Sequence, residues 1–180
     1  RDAVVSHTQV AAVLAVEIMR SGPTVVSRDA TPRLCDLEAD AYGHRLNADL
    51  VESLKHRANL RAFEAAAGLV TWCRLAADSL VSDYGIPAEK IEVISPGVDL
   101  DLFRPVERAN SGARVRILFV GGQFERKGGP DLLEAIRRLD VPVELDIVTA
   151  GAVTEIPAGV VARAHNGLTP QSDALVDLYR

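Results

Sequence analysis

Residues Arg114 to Leu139 read RVRILFVGGQFERKGGPDLLEAIRRL, and their pattern sets the fold class. Arg114 to Val120 is a short run of β-branched and aliphatic residues, long enough for a buried strand. Gly121 and Gly122 end it, and a polar loop, Gln123-Phe124-Glu125, follows. Next come two adjacent cations, Arg126 and Lys127, and a second glycine pair, Gly128 and Gly129. Pro130 and Asp131 then open a helix with Leu132, Leu133, Ile136 and Leu139 on one face. A strand, a glycine-rich basic turn and a helix start suit an anion. Glycine lets backbone N–H groups approach a phosphate, the helix start supplies unpaired donors, and Arg126 and Lys127 add full charges. An ordinary strand-to-helix turn with a solvated Arg-Lys pair has the same local pattern, so the stretch alone leaves both readings open.

Outward from it, the chain reads as parallel α/β. Val4 to Thr8 is a strand, Gln9 to Arg20 a helix stopped by Ser21-Gly22-Pro23, and Thr24 to Ser27 a buried strand. Such a β-α-β unit implies parallel strands and a right-handed crossover. Arg28 to Arg45 is a long irregular stretch after a strand's carboxyl end, where open α/β sheets bind ligands; a solvated connection is the alternative. Leu46 to Ala67 is a helix with Leu46, Leu50, Leu54, Ala58 and Ala62 on one side. Lys55, His56, Arg57 and Arg61 crowd its middle, but Glu52 and Glu64 dilute them, which favours a solvated face over a membrane-binding one. Gly68 to Trp72 is a strand, Leu75 to Tyr84 a helix ended by Gly85, and Lys90 to Ile94 a strand. Val106 to Ala113 is polar and aperiodic, the best linker candidate. Beyond it lie strands at Val143 to Val148 and Val160 to Ala164, and a helix from Ser172. The expected fold is therefore α/β with two Rossmann-like halves, one on each side of residues 106–113.

Composition excludes several classes. The chain has 180 residues, 48% of them hydrophobic and 25% charged, with a net charge of −5, so a general nucleic-acid binder is not expected. Cys35 and Cys73 fit no ligand spacing and predict neither a disulfide scaffold nor a zinc site. No apolar run in the 180 residues is long enough to span a bilayer, and a signal peptide is not expected. The sequence opens at Arg1 almost directly in a strand and closes in a helical pattern, which predicts an internal segment of a longer enzyme. The glycines do not follow the G-x-G-x-x-G pattern of a dinucleotide dehydrogenase.

Three stretches, in this order and spacing, resemble the family 4 retaining glycosyltransferases of the GT-B fold. They are HTQ at His7 to Gln9 with TVVSRDATP at Thr24 to Pro32, YGIPAEKIEVISPGVDLDLFRP at Tyr84 to Pro105, and ILFVGGQFERKGGPDLLEAI at Ile117 to Ile136. The resemblance implies two incomplete GT-B domains: residues 1–105 as the second half of an acceptor domain plus the crossing, 106–113 as linker, and 114–180 as the start of the donor domain. It implies transfer of a sugar from a nucleotide-sugar, UDP- or GDP-linked, to a hydroxyl of a glycan, lipid or small molecule. Retention at the anomeric carbon is implied, with no metal and no cofactor, because basic side chains and helix starts stabilise the leaving diphosphate. Lys127 matches the family's diphosphate-binding lysine, and Gly121 and Gly122 belong to the same donor turn. Many relatives carry an arginine directly after the second glycine of the strand's end; in this chain Gly122 takes its place, Gln123 follows, and Arg126 is the candidate substitute.

By the same resemblance His7 matches a histidine facing the donor sugar, a catalytic candidate whose bland alternative is a bond to a nearby carbonyl. Asp29 is placed toward the cleft or acceptor, and Gly97 allows a backbone turn beside it. Asp99 reads as a turn residue and Trp72 as core or a stacking platform. The family's glutamate pair, which follows a segment like DALVDLYR, is not among the 180 residues, so the segment alone is expected to have little activity. A cytoplasmic location is expected, with peripheral contact at the inner membrane face as an option. The competing functions are a nucleotide-sugar epimerase of the same architecture and a non-catalytic Rossmann-like interaction module.

Overall fold

The computed structural model describes residues 3–39, 48–106, 114–153 and 155–180. They fall into two compact units, Arg1–Gly97 and Val98–Arg180. Most of the expected linker, residues 107–113, lies outside the described residues.

The first unit runs β1 (Val4–Ser6), α1 (Gln9–Leu14), α2 (Val16–Ser21), β2 (Thr24–Arg28), α3 (Pro32–Leu37), α4 (Asp49–Ala65), β3 (Gly68–Thr71), α5 (Arg74–Tyr84) and β4 (Ile91–Val93). Its strands are all parallel, in the order β1-β2-β3-β4, with Val5 opposite Val25, Val26 opposite Leu69, and Thr71 opposite Val93. Side chains alternate along β2: Thr24, Val26 and Arg28 are buried, while Val25 and Ser27 are half-buried. Val26 and Leu69 pack with Ala62, Phe63, Leu80 and Tyr84 into one core. Gly85 closes α5 in the left-handed conformation (φ 65°) and donates to Val81 O, while Ile86 N–H donates to Leu80 O.

Four expectations for this unit need correction. The helix expected over Gln9 to Arg20 is two helices, because Ala15 leaves helical geometry (φ −113°, ψ 16°) and its N–H turns back to Ala12 O. The stretch expected to be irregular after Arg28 contains α3. Thr31 caps it by accepting from Leu34 N–H (3.2 Å), and Pro32 sits at the first turn, where its missing N–H costs nothing. Residues 40–47, the rest of that stretch, lie outside the described set. Third, α4 does not bury its Leu50–Leu54 side: Leu50 is 73% and Leu54 55% exposed. The buried face is Asn59, Ala62, Phe63 and Ala66, at helical spacing one step round the cylinder. Nor is the basic middle of α4 simply solvated. Lys55 bridges Glu52 (2.7 Å) and Asp36 of α3 (3.1 Å), and His56 stacks on Tyr84 at 4.7 Å. Arg57 and Arg61 stay exposed.

The second unit contains β5 (Val115–Val120), α6 (Gly129–Arg137), β6 (Val143–Val148), β7 (Val161–His165) and α7 (Asp173–Tyr179). Its strands are parallel in the order β5-β6-β7. Val143, Leu145 and Ile147 point to one face of the sheet and pack with Leu133 and Ile136 of α6 and with Phe124. Glu144 and Asp146 take the other face, where Glu144 pairs with Arg163 and Asp146 Oδ1 lies 2.7 Å from His165 Nε2. Leu139, expected on the buried face of α6, is 47% exposed because the helix ends at Arg137. Ser172 caps α7 by accepting from Leu175 N–H (3.4 Å). The two parallel sheets, of four and three strands, agree with the expected α/β class of Rossmann-like halves.

Candidate functional site

Two places qualify, one in each unit. In a parallel sheet every strand ends on the same edge, and that edge is where ligands bind. In the first unit this edge gathers His7 after β1, Asp29 after β2, Trp72 and Cys73 after β3, and Ser95 after β4. His7 is exposed, and its ring lies 5.4 Å from that of Trp72, tilted by 32°. Among the described residues the imidazole makes no hydrogen bond, so the carbonyl contact weighed as its alternative is absent. Trp72 is fixed at three points: its backbone N–H donates to Arg28 O (3.0 Å), its indole N–H to Ser27 Oγ (3.2 Å), and its carbonyl accepts from Ser95 Oγ (3.1 Å).

Asp29 is exposed and accepts from Ala30 N–H through Oδ1 (2.8 Å). The loop beneath it is clamped by Arg28, a residue the sequence reading did not single out. The Arg28 side chain is buried, its Nε and Nη2 both donate to Ala30 O, and its guanidinium lies 5.4 Å from the Phe63 ring centre. Burial pushes the Arg28 pKa down, countered in part by Tyr84, Cys35 and Asp29. Thr31 is tied down as well. Ser79 Oγ donates to Asp83 (2.6 Å), so Thr31 Oγ1–H must donate to Ser79 Oγ (2.6 Å) while it accepts from Leu34. Gly97 is exposed, is not in the left-handed region, and would have open space around a Cβ, so the backbone there does not demand glycine. Asp99 is a turn residue: its Oδ1 accepts from Asp101 N–H (2.9 Å) and Leu102 N–H (3.1 Å).

The second place is the basic turn between β5 and α6, which brings Gly121, Gly122, Arg126 and Lys127 together. A Cβ on Gly121 would sit 3.1 Å from Cβ and Cγ of Lys127, so the lysine stem lies across the glycine backbone. The Lys127 side chain is exposed, and no hydrogen bond or ion pair engages Nζ among the described residues. Arg126 is engaged within the turn, where its Nε donates to Gln123 Oε1. The chain turns back through Gly128 at φ 80°. A Cβ on Gly129 would lie 2.5 Å from both Cε carbons of Phe124, whose buried ring meets Phe119 edge-on at 5.0 Å. Phe124 is therefore the wedge that shapes the turn, though in sequence it is only an apolar residue in a polar loop.

The helix start is a poorer donor set than the sequence suggests. Lys127 N–H is taken by Gln123 O, Gly128 N–H by Glu125 O and Gly129 N–H by Phe124 O. Pro130 has no N–H, and Asp131 puts a carboxylate in the first turn. Among the described residues the backbone N–H groups left without an acceptor are those of Gly122 and Gln123, where β5 ends, of Phe124 and Glu125 in the turn, and of Asp131 in the first turn of α6. The set can hold an anionic oxygen by one ammonium and strand-end N–H groups. Among the described residues, no three His, Cys, Asp or Glu side chains converge on a metal position. No helix among them is long and apolar enough to cross a membrane.

Comparison with known proteins now adds to this geometry. The model of Glycosyltransferase Family 4 matches residues 2–102, more than half of the chain. The D-inositol 3-phosphate glycosyltransferase 1 of Catenulispora acidiphila is 35% identical over 113 residues, covering 58% of this chain and 27% of that protein. The D-inositol 3-phosphate glycosyltransferase of Mycobacterium sp. (strain KMS) is 32% identical over 157 residues, 74% of this chain and 36% of that protein. That of Paenarthrobacter aurescens is 37% identical over 101 residues, 49% and 24% respectively. The chain thus spans roughly a quarter to a third of the length of these relatives. Taken with its parallel Rossmann-like sheets, the family match over residues 2–102 settles the lineage: the chain belongs to Glycosyltransferase Family 4.

Proposed function

We propose that the chain carries parts of both substrate sites of a retaining glycosyltransferase, which moves a sugar from a nucleotide-sugar to an acceptor hydroxyl. The observation that supports this most directly is Lys127: an exposed ammonium whose stem lies on Gly121, beside uncommitted N–H groups at the end of β5. As the sugar–phosphate bond breaks, negative charge grows on the departing diphosphate, and a fixed cation there lowers the barrier. His7 and Asp29 are assigned to the sugar and acceptor side, on the carboxyl edge of the first sheet. The departing diphosphate is neutralised by side chains, with no metal or cofactor. Because the relatives named above are D-inositol 3-phosphate glycosyltransferases, a phosphorylated cyclitol is the first acceptor to try.

Calorimetry of UDP and GDP against the chain tests the donor half. One diphosphate is expected to bind, and Lys127→Ala to weaken it about tenfold or more, the worth of one charge-assisted contact. Binding of neither diphosphate, or equal binding by the variant, refutes the assignment. A peripheral membrane contact is a secondary proposal, supported by the exposed Leu50, Leu54, Arg57 and Arg61, spaced along one side of α4. Flotation with vesicles of anionic lipid tests it, and Arg57→Glu with Arg61→Glu should abolish it.

A further inference from the structure

We infer that Trp72 is the positioning residue for His7, holding the imidazole by ring contact alone so that both its nitrogens stay free for a hydroxyl of the bound sugar or acceptor. The role of His7 rests on the glycosyl-transfer reading; the ring contact does not. Four observations converge. The rings are 5.4 Å apart, within the range of attractive aromatic pairs. No other described residue hydrogen-bonds the imidazole. The indole cannot drift, because its N–H is held by Ser27 Oγ, its backbone N–H by Arg28 O and its carbonyl by Ser95 Oγ. Finally, Trp72 follows β3 and its partners come from β2 and from the segment after β4, so the platform is tied to three strands and His7 follows the fourth, β1. A histidine that must face a substrate is usually oriented through a hydrogen bond to one ring nitrogen, and that bond commits the nitrogen. A histidine held by ring contact keeps both.

The test uses the 180-residue chain, in which Trp72 is the sole tryptophan. An imidazole in ring contact with the indole alters its emission, so His7→Gln is expected to change the emission of Trp72, while Asp29→Asn and Cys73→Ser leave it unchanged. In Trp72→Leu the His7 ring protons lose their ring-current shift, and Trp72→Phe restores part of it. Ser27→Ala, which keeps the indole but frees its N–H, gives an intermediate shift. Trp72 emission unchanged in His7→Gln, or identical His7 signals with and without Trp72, overturns the contact.

Where sugar transfer is assayed, Trp72→Leu lowers kcat about three- to tenfold, with KM for the nucleotide-sugar unchanged; Trp72→Phe recovers most of it. An unchanged kcat in Trp72→Leu overturns the positioning role even if transfer is observed. Absence of transfer by the unaltered full-length enzyme refutes the glycosyl-transfer reading instead, and the spectral measurements then decide the ring contact by themselves.

Discussion

Gly129→Ala is the sharpest test of how the basic turn is built. A methyl group at this position lies 2.5 Å from both Cε carbons of Phe124, whereas carbon atoms settle at about 3.5–4.0 Å. Relief needs a shift of about 1 Å. The ring has little room to make it, being buried in the core with Leu133, Ile136 and Leu145 and meeting Phe119 edge-on. If the core yields, overpacking costs about 1–3 kcal/mol; if the ring is expelled, its lost burial raises the cost toward about 3–5 kcal/mol. Against this, alanine restricts the unfolded chain and returns only about 0.4–1 kcal/mol. Mid-range values of about 2 and about 0.7 kcal/mol leave an expected net loss of about 1 kcal/mol if the core yields, and more if the ring is expelled. Native-state amide exchange of β5 and β6 in increasing urea reads the second unit separately, because the sole tryptophan reports only the first. In a Phe124→Leu background the same substitution should cost less than half as much, since the ring that it strikes is gone. Gly122→Ala, with open space around its Cβ and no left-handed backbone, should be nearly neutral. A change below about 0.5 kcal/mol in Gly129→Ala, or equal costs in both backgrounds, refutes the wedge role of Phe124.

Other predictions concern the first unit. Thr31→Ala removes both the cap of α3 and the buried donor to Ser79, and should cost about 1–3 kcal/mol in thermal unfolding followed by Trp72; Thr31→Ser should recover most of it. Gly85→Ala forces a side chain into the left-handed region at φ 65° and should lose about 1 kcal/mol by the same measurement. Alkaline stability depends on Tyr84 and Lys55. Burial raises the Tyr84 pKa, and the hydrogen bond to Glu52, then that to Asp36, outweighs burial to raise that of Lys55. Folded values above unfolded ones mean stability fully present below about pH 10 and lost as pH rises through the folded values. Lys90, lowered by burial, works in the opposite sense. Urea midpoints between about pH 9 and about pH 11 should fall, and less steeply in Tyr84→Phe. Equal slopes with and without the phenol would count against its burial-driven shift.

The parts of the fold that were legible in sequence are those where one signal dominated. Val115–Val120 and Val143–Val148 are β-branched runs with glycine or proline nearby, and they are strands close to the expected bounds. Where two signals competed, the outcome depended on tertiary partners. Thr31-Pro32 is a helix-start signal in a stretch otherwise rich in loop residues, and the buried Ser79 hydroxyl tips it into a cap. Along α4, Leu50 and Leu54 offered one apolar side, but Phe63 with its small neighbours Ala62 and Ala66 fills the core instead. At the basic turn, residue types identified Lys127 but not which N–H groups the turn consumes, because that depends on how Phe124 wedges beneath Gly129. The tilted ring contact between Trp72 and His7 joins residues from two strand ends, and nothing local to either residue announces it.

The contact between Lys127 and Gly121 has a thermodynamic consequence. A free lysine side chain samples many rotamers, and capturing an anion ordinarily costs up to about 2 kcal/mol of that freedom. Here Cβ and Cγ already rest on the glycine backbone, leaving the outer methylenes and the ammonium to search. Part of the entropy that binding would otherwise consume is lost on folding, before any ligand arrives. The missing side chain at Gly121 thus works at a distance, through the disorder that it removes from its neighbour.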